Sequence, residues 1–193
     1  MITHVSGKLV EKSPTSVVVD CNGIGYFIHI SLHTFSQLTD DEHIKLLTHF
    51  QVKEDAQQLY GFVTSSEREI FRLLISVSGI GANTARTMLS SLTPKQVREG
   101  IASEDVALIQ SVKGIGLKTA QRVIIDLKDK VLKIYDINDS IKTSNNTNKD
   151  EALSALEVLG FVKKQSERVV VKILSQTPDA SVELIIKEAL KNL

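Results

Sequence analysis

Residues Val77–Ala85 read VSGIGANTA, and Val112–Ala120 read VKGIGLKTA. The repetition extends outward, because Phe71–Leu92 lies over Val106–Leu127 at a constant offset of 35 without a gap. Leu73, Ser76, Val77, Gly79, Ile80, Gly81, Thr84, Ala85 and Leu92 all fall on identical residues, and apolar positions elsewhere fall on apolar ones except Ile75, which falls on Gln110. The chain has 10 glycines and places four of them in these two phrases. Each copy therefore predicts an apolar helix, a tight G-I-G turn and a second helix. The glycines supply a positive φ or a close approach, and the isoleucine between them plugs the hairpin's own core. Such a turn opens a helix whose N-terminal N–H groups and partial positive charge suit a phosphate oxygen. One copy alone reads as a plain helix–helix connection. Neither copy is a dinucleotide fingerprint, since the third glycine and a preceding strand are missing. Two copies are also too few for a helical solenoid. The same turn written twice points to two equivalent grips on one backbone.

The charge distribution agrees with a polyanionic ligand. The formal net charge is zero. By Lys+Arg against Asp+Glu, residues 1–64 carry 4 and 7, residues 65–135 carry 11 and 7, and residues 136–193 carry 8 and 9. The positive excess sits on the segment that holds the duplication. Cys21 is the only cysteine, which excludes an intrachain disulfide and suits a reducing compartment. No apolar run is long enough to cross a bilayer, and no secretory signal opens the sequence, so a cytoplasmic location is expected.

Before the duplication the sequence is strand-like. Ile2–Glu11, Ser16–Asp20, Gly25–Ile30, Ile44–Val52 and Leu59–Val63 are β-branched or alternate with period two, and Asn22-Gly23 is a hairpin signal. Five strands in so short a span predict a small barrel such as the OB-fold. After the duplication, Asp136–Asn148 (DINDSIKTSNNTN) reads as a linker. Three short helical patterns follow: Ala152/Ala155/Leu156/Leu159, Val169/Val170/Ile173/Leu174 and Val182/Ile185/Ile186/Leu190. The expected fold is multidomain α+β. An OB-fold-like barrel occupies residues 1–64, a tandem helix-hairpin-helix domain 65–139, a linker 140–148 and a three-helix bundle similar to ubiquitin-associated domains 149–193.

A barrel-like start, tandem hairpins, a polar linker and a small C-terminal helical unit together resemble the RuvA family over essentially the whole chain. The resemblance implies a homotetramer, or two stacked tetramers, that holds four-way (Holliday) junction DNA flat and open in recombination and repair. It implies two phosphate grips. Gly79 and Gly81, with Asn83, Thr84 and the amides opening the next helix, form one; Gly114, Gly116, Lys118 and Thr119 form the other, with Arg122 one helical turn beyond. Asn83 stands where a lysine is expected, and Leu117 sits beside Lys118. Arg86, three residues from Asn83 on the same helical face, is expected to compensate. Glu54 and Asp55 read from the residues alone as a charged turn, and from the resemblance as an acidic pin that repels phosphates. The C-terminal unit would dock the hexameric ATPase RuvB, with Phe161 and Leu193 as exposed apolar contacts, and the resolvase RuvC is a further expected partner.

No catalytic residue, metal site or cofactor is expected. The chain has no G-x-x-x-x-G-K-[ST] loop, and its five histidines lack metal-ligand spacing. The rival reading is a helix-hairpin-helix repair enzyme, a glycosylase or nuclease, with Asp126 and Asp129 as its carboxylates. A protein scaffold that does not bind DNA would leave the duplicated glycines without a purpose.

Overall fold

The computed structural model describes residues 1–39, 41–140, 147–178 and 180–193. Five strands close a barrel in the order β1 (His4–Ser13), β2 (Ser16–Cys21), β3 (Ile24–Ile30), β5 (Gln57–Phe62) and β4 (His43–Val52). The β3–β5 pairing is parallel and the others antiparallel. Period-two alternation fills the interior: Val17, Val19, Ile28, Ile30, Ile44, Leu46 and Leu59 point inward. Asn22 (φ 55°) and Gly23 (φ 91°) form the two-residue turn joining β2 to β3, both in the left-handed region that a type I′ hairpin requires. Between β3 and β4 lies a short helix, α1 (Leu32–Gln37), capped by Ser31.

The last four residues of β5 are all buried, because their outer side is covered by α2 (Ser65–Ile75). Phe71 of that helix packs against Tyr60 and Phe62 with ring centroids 5.1 and 5.0 Å away. The helices then run α3 (Ala82–Ser91), α4 (Pro94–Ala102), α5 (Val106–Gln110) and α6 (Leu117–Ser140). Barrel and hairpins form one compact unit, residues 1–133.

Polar contacts brace the barrel against the helices. Arg68 donates to Thr3 O at 3.0 Å, and Leu32 N–H donates to Ser90 Oγ at 3.0 Å. The Glu67 carboxylate is fully buried and accepts hydrogen bonds from the Ser31 hydroxyl and, at 2.7 Å, from the Thr34 hydroxyl. Burial pushes its pKa up, with the two hydroxyl bonds opposing. The native state then holds a proton at pH values where the unfolded chain has lost it. Glu67's contribution is therefore full below the ordinary carboxylate range and is lost as pH rises through the raised value. Thermal melts across that window should show the parent losing stability relative to Glu67→Gln as pH rises; a constant difference would contradict this.

The second unit holds α7 (Thr147–Val158), α8 (Lys163–Gln176) and α9 (Val182–Asn192) around Ala152, Leu156, Val170, Ile185 and Ala189. Two boundaries differ from the sequence reading. Helix α6 continues through Asp136–Ser140, where the linker was expected to begin, since each added residue extends a nucleated helix by one hydrogen bond. Residues 141–146 of that linker lie outside the described residues, and α7 begins at Thr147, inside its expected end.

Candidate nucleic-acid interface

The two G-I-G turns are built alike, bond for bond. Ile80 N–H donates to Val77 O at 3.0 Å, and Ile115 N–H donates to Val112 O at 3.1 Å. The Ser76 and Ser111 hydroxyls bond back to Leu73 O and Leu108 O, each at 2.7 Å. Val77 and Val112 are 2% exposed, and Ile80 and Ile115 are 5% exposed, so each isoleucine plugs its own hairpin. Gly79 and Gly114 have φ of 95° and 90°. Both stand third in a four-residue turn, where a type II geometry demands a positive φ. Around either one the space for a Cβ is open, so an alanine there meets only backbone strain. Gly79→Ala should cost roughly 1–2 kcal/mol and lower Tm by a few degrees in calorimetry; an unchanged Tm would contradict the turn assignment.

Gly81 and Gly116 differ in kind from their partners. Gly81 has an ordinary φ of −85°, and a Cβ on either glycine would meet nothing within 4 Å. Neither conformation nor packing requires glycine at these positions. Each immediately precedes a helix, its carbonyl accepting Ala85 N–H or Ala120 N–H at 2.9 Å. Helices α1, α2, α4, α5 and α9 are capped by side chains of Ser31, Thr64, Thr93, Asp105 and Ser181. Helix α3 starts at Gly81 without such a bond, and a glycine before α6 cannot make one. The first-turn N–H groups of both helices are left to an outside acceptor.

The flanking residues are not symmetric. Lys113, Lys118 and Arg122 are exposed around the second turn, with Arg122 3.9 Å from Asp126, and Thr119 is half-buried beside them. The corresponding first-turn residues, Ser78, Asn83 and Thr87, are exposed and uncharged, and Thr84 is half-buried. Leu117 is 51% exposed where the first copy has buried Ala82. Lys113, which the sequence reading did not name, stands exposed inside the second turn itself.

Arg86 was expected to back up Asn83. Its guanidinium turns to the barrel and reaches Thr15 O at 3.2 Å and His29 Nδ1 at 3.3 Å. Burial and that guanidinium hold the His29 pKa below its ordinary value. Glu54 and Asp55 lie exposed in the loop between β4 and β5, which Lys53 N–H closes on Ala56 O at 2.8 Å. Both carboxylates stand at the tip of a hairpin.

In the second unit Leu193 is 39% exposed, but Phe161 packs against the core. Gly160 (φ 95°) ends α7 in a Schellman turn, with its N–H on Glu157 O and Phe161 N–H on Leu156 O, both at 3.0 Å. That turn brings Phe161 inward against Leu156. The exposed apolar residues there are Val158, Leu159 and Val162, at 88%, 57% and 62%.

The family models described as RuvA N terminal domain, SAM-like Helix-hairpin-helix tandem and RuvA, C-terminal domain match residues 1–61, 71–129 and 147–193. The chain is 65% identical to the Holliday junction branch migration complex subunit RuvA of Flavobacterium psychrophilum, with all of both chains covered. The chain belongs to the RuvA family. The subunits of the same name from Christiangramia forsetii and Bacteroides thetaiotaomicron are 64% and 47% identical, again with both chains covered in full. This RuvA-family chain has no cluster of three or more His, Cys, Asp or Glu able to hold a metal among its described residues. Asp126 and Asp129, the carboxylates of the rival enzyme reading, are both exposed on α6. No helix among the described residues is long and apolar enough to cross a membrane.

Proposed function

We infer that this chain is a DNA-binding accessory subunit of a Holliday junction branch migration complex, with no catalytic step of its own. It recognises four-way junctions through backbone phosphates, holds them open and planar, and presents them to a motor ATPase. The observation that carries the DNA contact is the pair Gly81 and Gly116. Two equivalent glycines that the fold itself does not need leave two helix N-termini bare and approachable. Phosphate contacts carry no sequence information, so selection of a junction rests on shape and on several arms being held at once. A homotetramer, alone or stacked in pairs, supplies that multiplicity. The grips are Gly79, Gly81, Asn83 and Thr84 in one copy, and Lys113, Gly114, Gly116, Lys118, Thr119 and Arg122 in the other. Glu54 and Asp55 keep phosphates away from the centre. RuvB is the motor and RuvC the resolvase of this assembly. Full-length similarity to the named subunits supports this reading over a helix-hairpin-helix repair enzyme.

A branch-migration assay tests it. The chain alone should leave labelled junctions unprocessed, whereas the chain with RuvB and ATP should dissociate them. Product from the chain alone, or motor activity indifferent to the chain, would overturn the reading. Val158→Asp with Val162→Asp should leave junction binding unchanged and abolish stimulation of RuvB. Retained stimulation would exclude that exposed apolar edge as the motor contact.

A further inference from the structure

Glu67 has no place in the phosphate grips or the acidic hairpin, yet it is a fully buried carboxylate. A carboxylate in such a position is costly, and an apolar residue of the same volume is often as stable or more so. What the carboxylate provides is direction. One oxygen takes the hydroxyl of Ser31, and the other takes the hydroxyl of Thr34 at 2.7 Å. The Ser31 oxygen is itself fixed by the Thr34 N–H at 2.9 Å. Ser31 directly follows β3, and Thr34 belongs to α1.

The location gives this bracing its meaning. Strand β5, one side of the Glu54/Asp55 hairpin, ends at Phe62, and α2 begins at Ser65. Only Val63 and Thr64 join them, and α2 leads directly into the first G-I-G turn. A two-residue connection between a strand and a helix is a natural pivot, and apolar contacts across it are not directional. Glu67 sits three residues past Thr64 and ties α2 to the element after β3, the strand that pairs with β5. His33 and Arg68 are the nearby cationic groups: His33 favours the ionised carboxylate, and Arg68 is spent on Thr3 O.

We propose that Glu67 is a positioning residue that locks the angle between the acidic hairpin and the phosphate-gripping turns, so that preference for a four-way junction over plain duplex depends on it. This rests on the function proposed above. A single duplex arm needs the grips alone, whereas a junction needs grips and hairpin held in fixed relation. Loss of geometry removes the gain from simultaneous engagement and leaves each contact intact.

The test compares the full-length parent with Glu67→Leu, which keeps the volume and removes the directional bonds, and with Glu67→Gln. Thr34→Val, which deletes one donor, is a milder variant with the same expected direction. Four-way junction and equal-length duplex are titrated with each protein. Spin labels at Glu54→Cys and Asn83→Cys in a Cys21→Ser background report the hairpin-to-turn distance. Glu67→Leu and Thr34→Val should broaden that distance distribution and cut the junction-to-duplex ratio, by about tenfold for Glu67→Leu, with duplex affinity unchanged. Glu67→Gln, whose amide can still bond both hydroxyls, should restore most of the ratio. A narrow distribution and an unchanged ratio in folded Glu67→Leu or Thr34→Val would overturn the proposal. A parent without junction preference would count against the proposed function instead, and the label distances would still decide the role of Glu67.

Discussion

Gly81→Asp combined with Gly116→Asp should leave the protein at least as stable as the parent while weakening four-way junction binding by about 100-fold or more. The two effects have opposite signs for one reason. Aspartate is among the best N-cap residues, and its charge favours a helix N-terminus. Both positions have ordinary space around them, so the added side chain meets nothing in the fold. The carboxylate would, however, accept the first-turn N–H groups that a phosphate would otherwise take, and would repel that phosphate. A charge-assisted hydrogen bond is worth roughly 1.5–3 kcal/mol, so losing one at each of two grips accounts for the factor. Melting and filter binding check the two halves separately. Undiminished binding by a well-folded double variant would remove the G-I-G turns from the DNA contact. A matched loss of stability and binding would mean that the glycines serve the fold after all.

Neutralising the hairpin tip should act in the other direction. Glu54→Gln with Asp55→Asn should tighten junction binding by about 5- to 30-fold at low salt, the size of a repulsion of 1–2 kcal/mol. The gain should shrink as ionic strength rises, because exposed charges are screened over about 10 Å at 0.1 M. Tighter binding is not better function here. Without repulsion at the centre, backbones settle where they should be excluded, and motor-driven migration should become slower and less controlled. The tip is solvent-exposed and closed by a backbone bond that the substitutions do not touch, so stability should not change. Affinity and migration rates that both match the parent would sink the acidic-pin role.

Much of this was written in the sequence, and the misses have identifiable causes. The barrel strands were legible because a half-buried strand must alternate, and Val17, Val19, Ile28 and Ile30 do so. The hairpins were legible because the duplication marks the turn independently of local propensity. Helix α1 was not, since six residues are too few to show a period. Glu67 was not, because an acid three residues after a threonine cap looks like an ordinary exposed first-turn residue. Only the tertiary fold brings Ser31 and Thr34 against it. Arg86 was placed on the correct helix, but its direction depends on a barrel that helical spacing cannot see. Phe161 was expected as an exposed contact from the family resemblance, whereas the Schellman turn that Gly160 makes possible packs it, half-buried, against the core. The same turn leaves Val158, Leu159 and Val162 outside, an inversion that no hydrophobic count reveals.

Recognition of DNA shape through paired phosphate grips is open to a direct titration of a four-way junction and a linear duplex of equal length across a salt series. The expected result is a strong junction preference, with log affinity falling steeply and linearly with log salt as counterions are released. Equal affinity for the two substrates, or binding indifferent to salt, would contradict it.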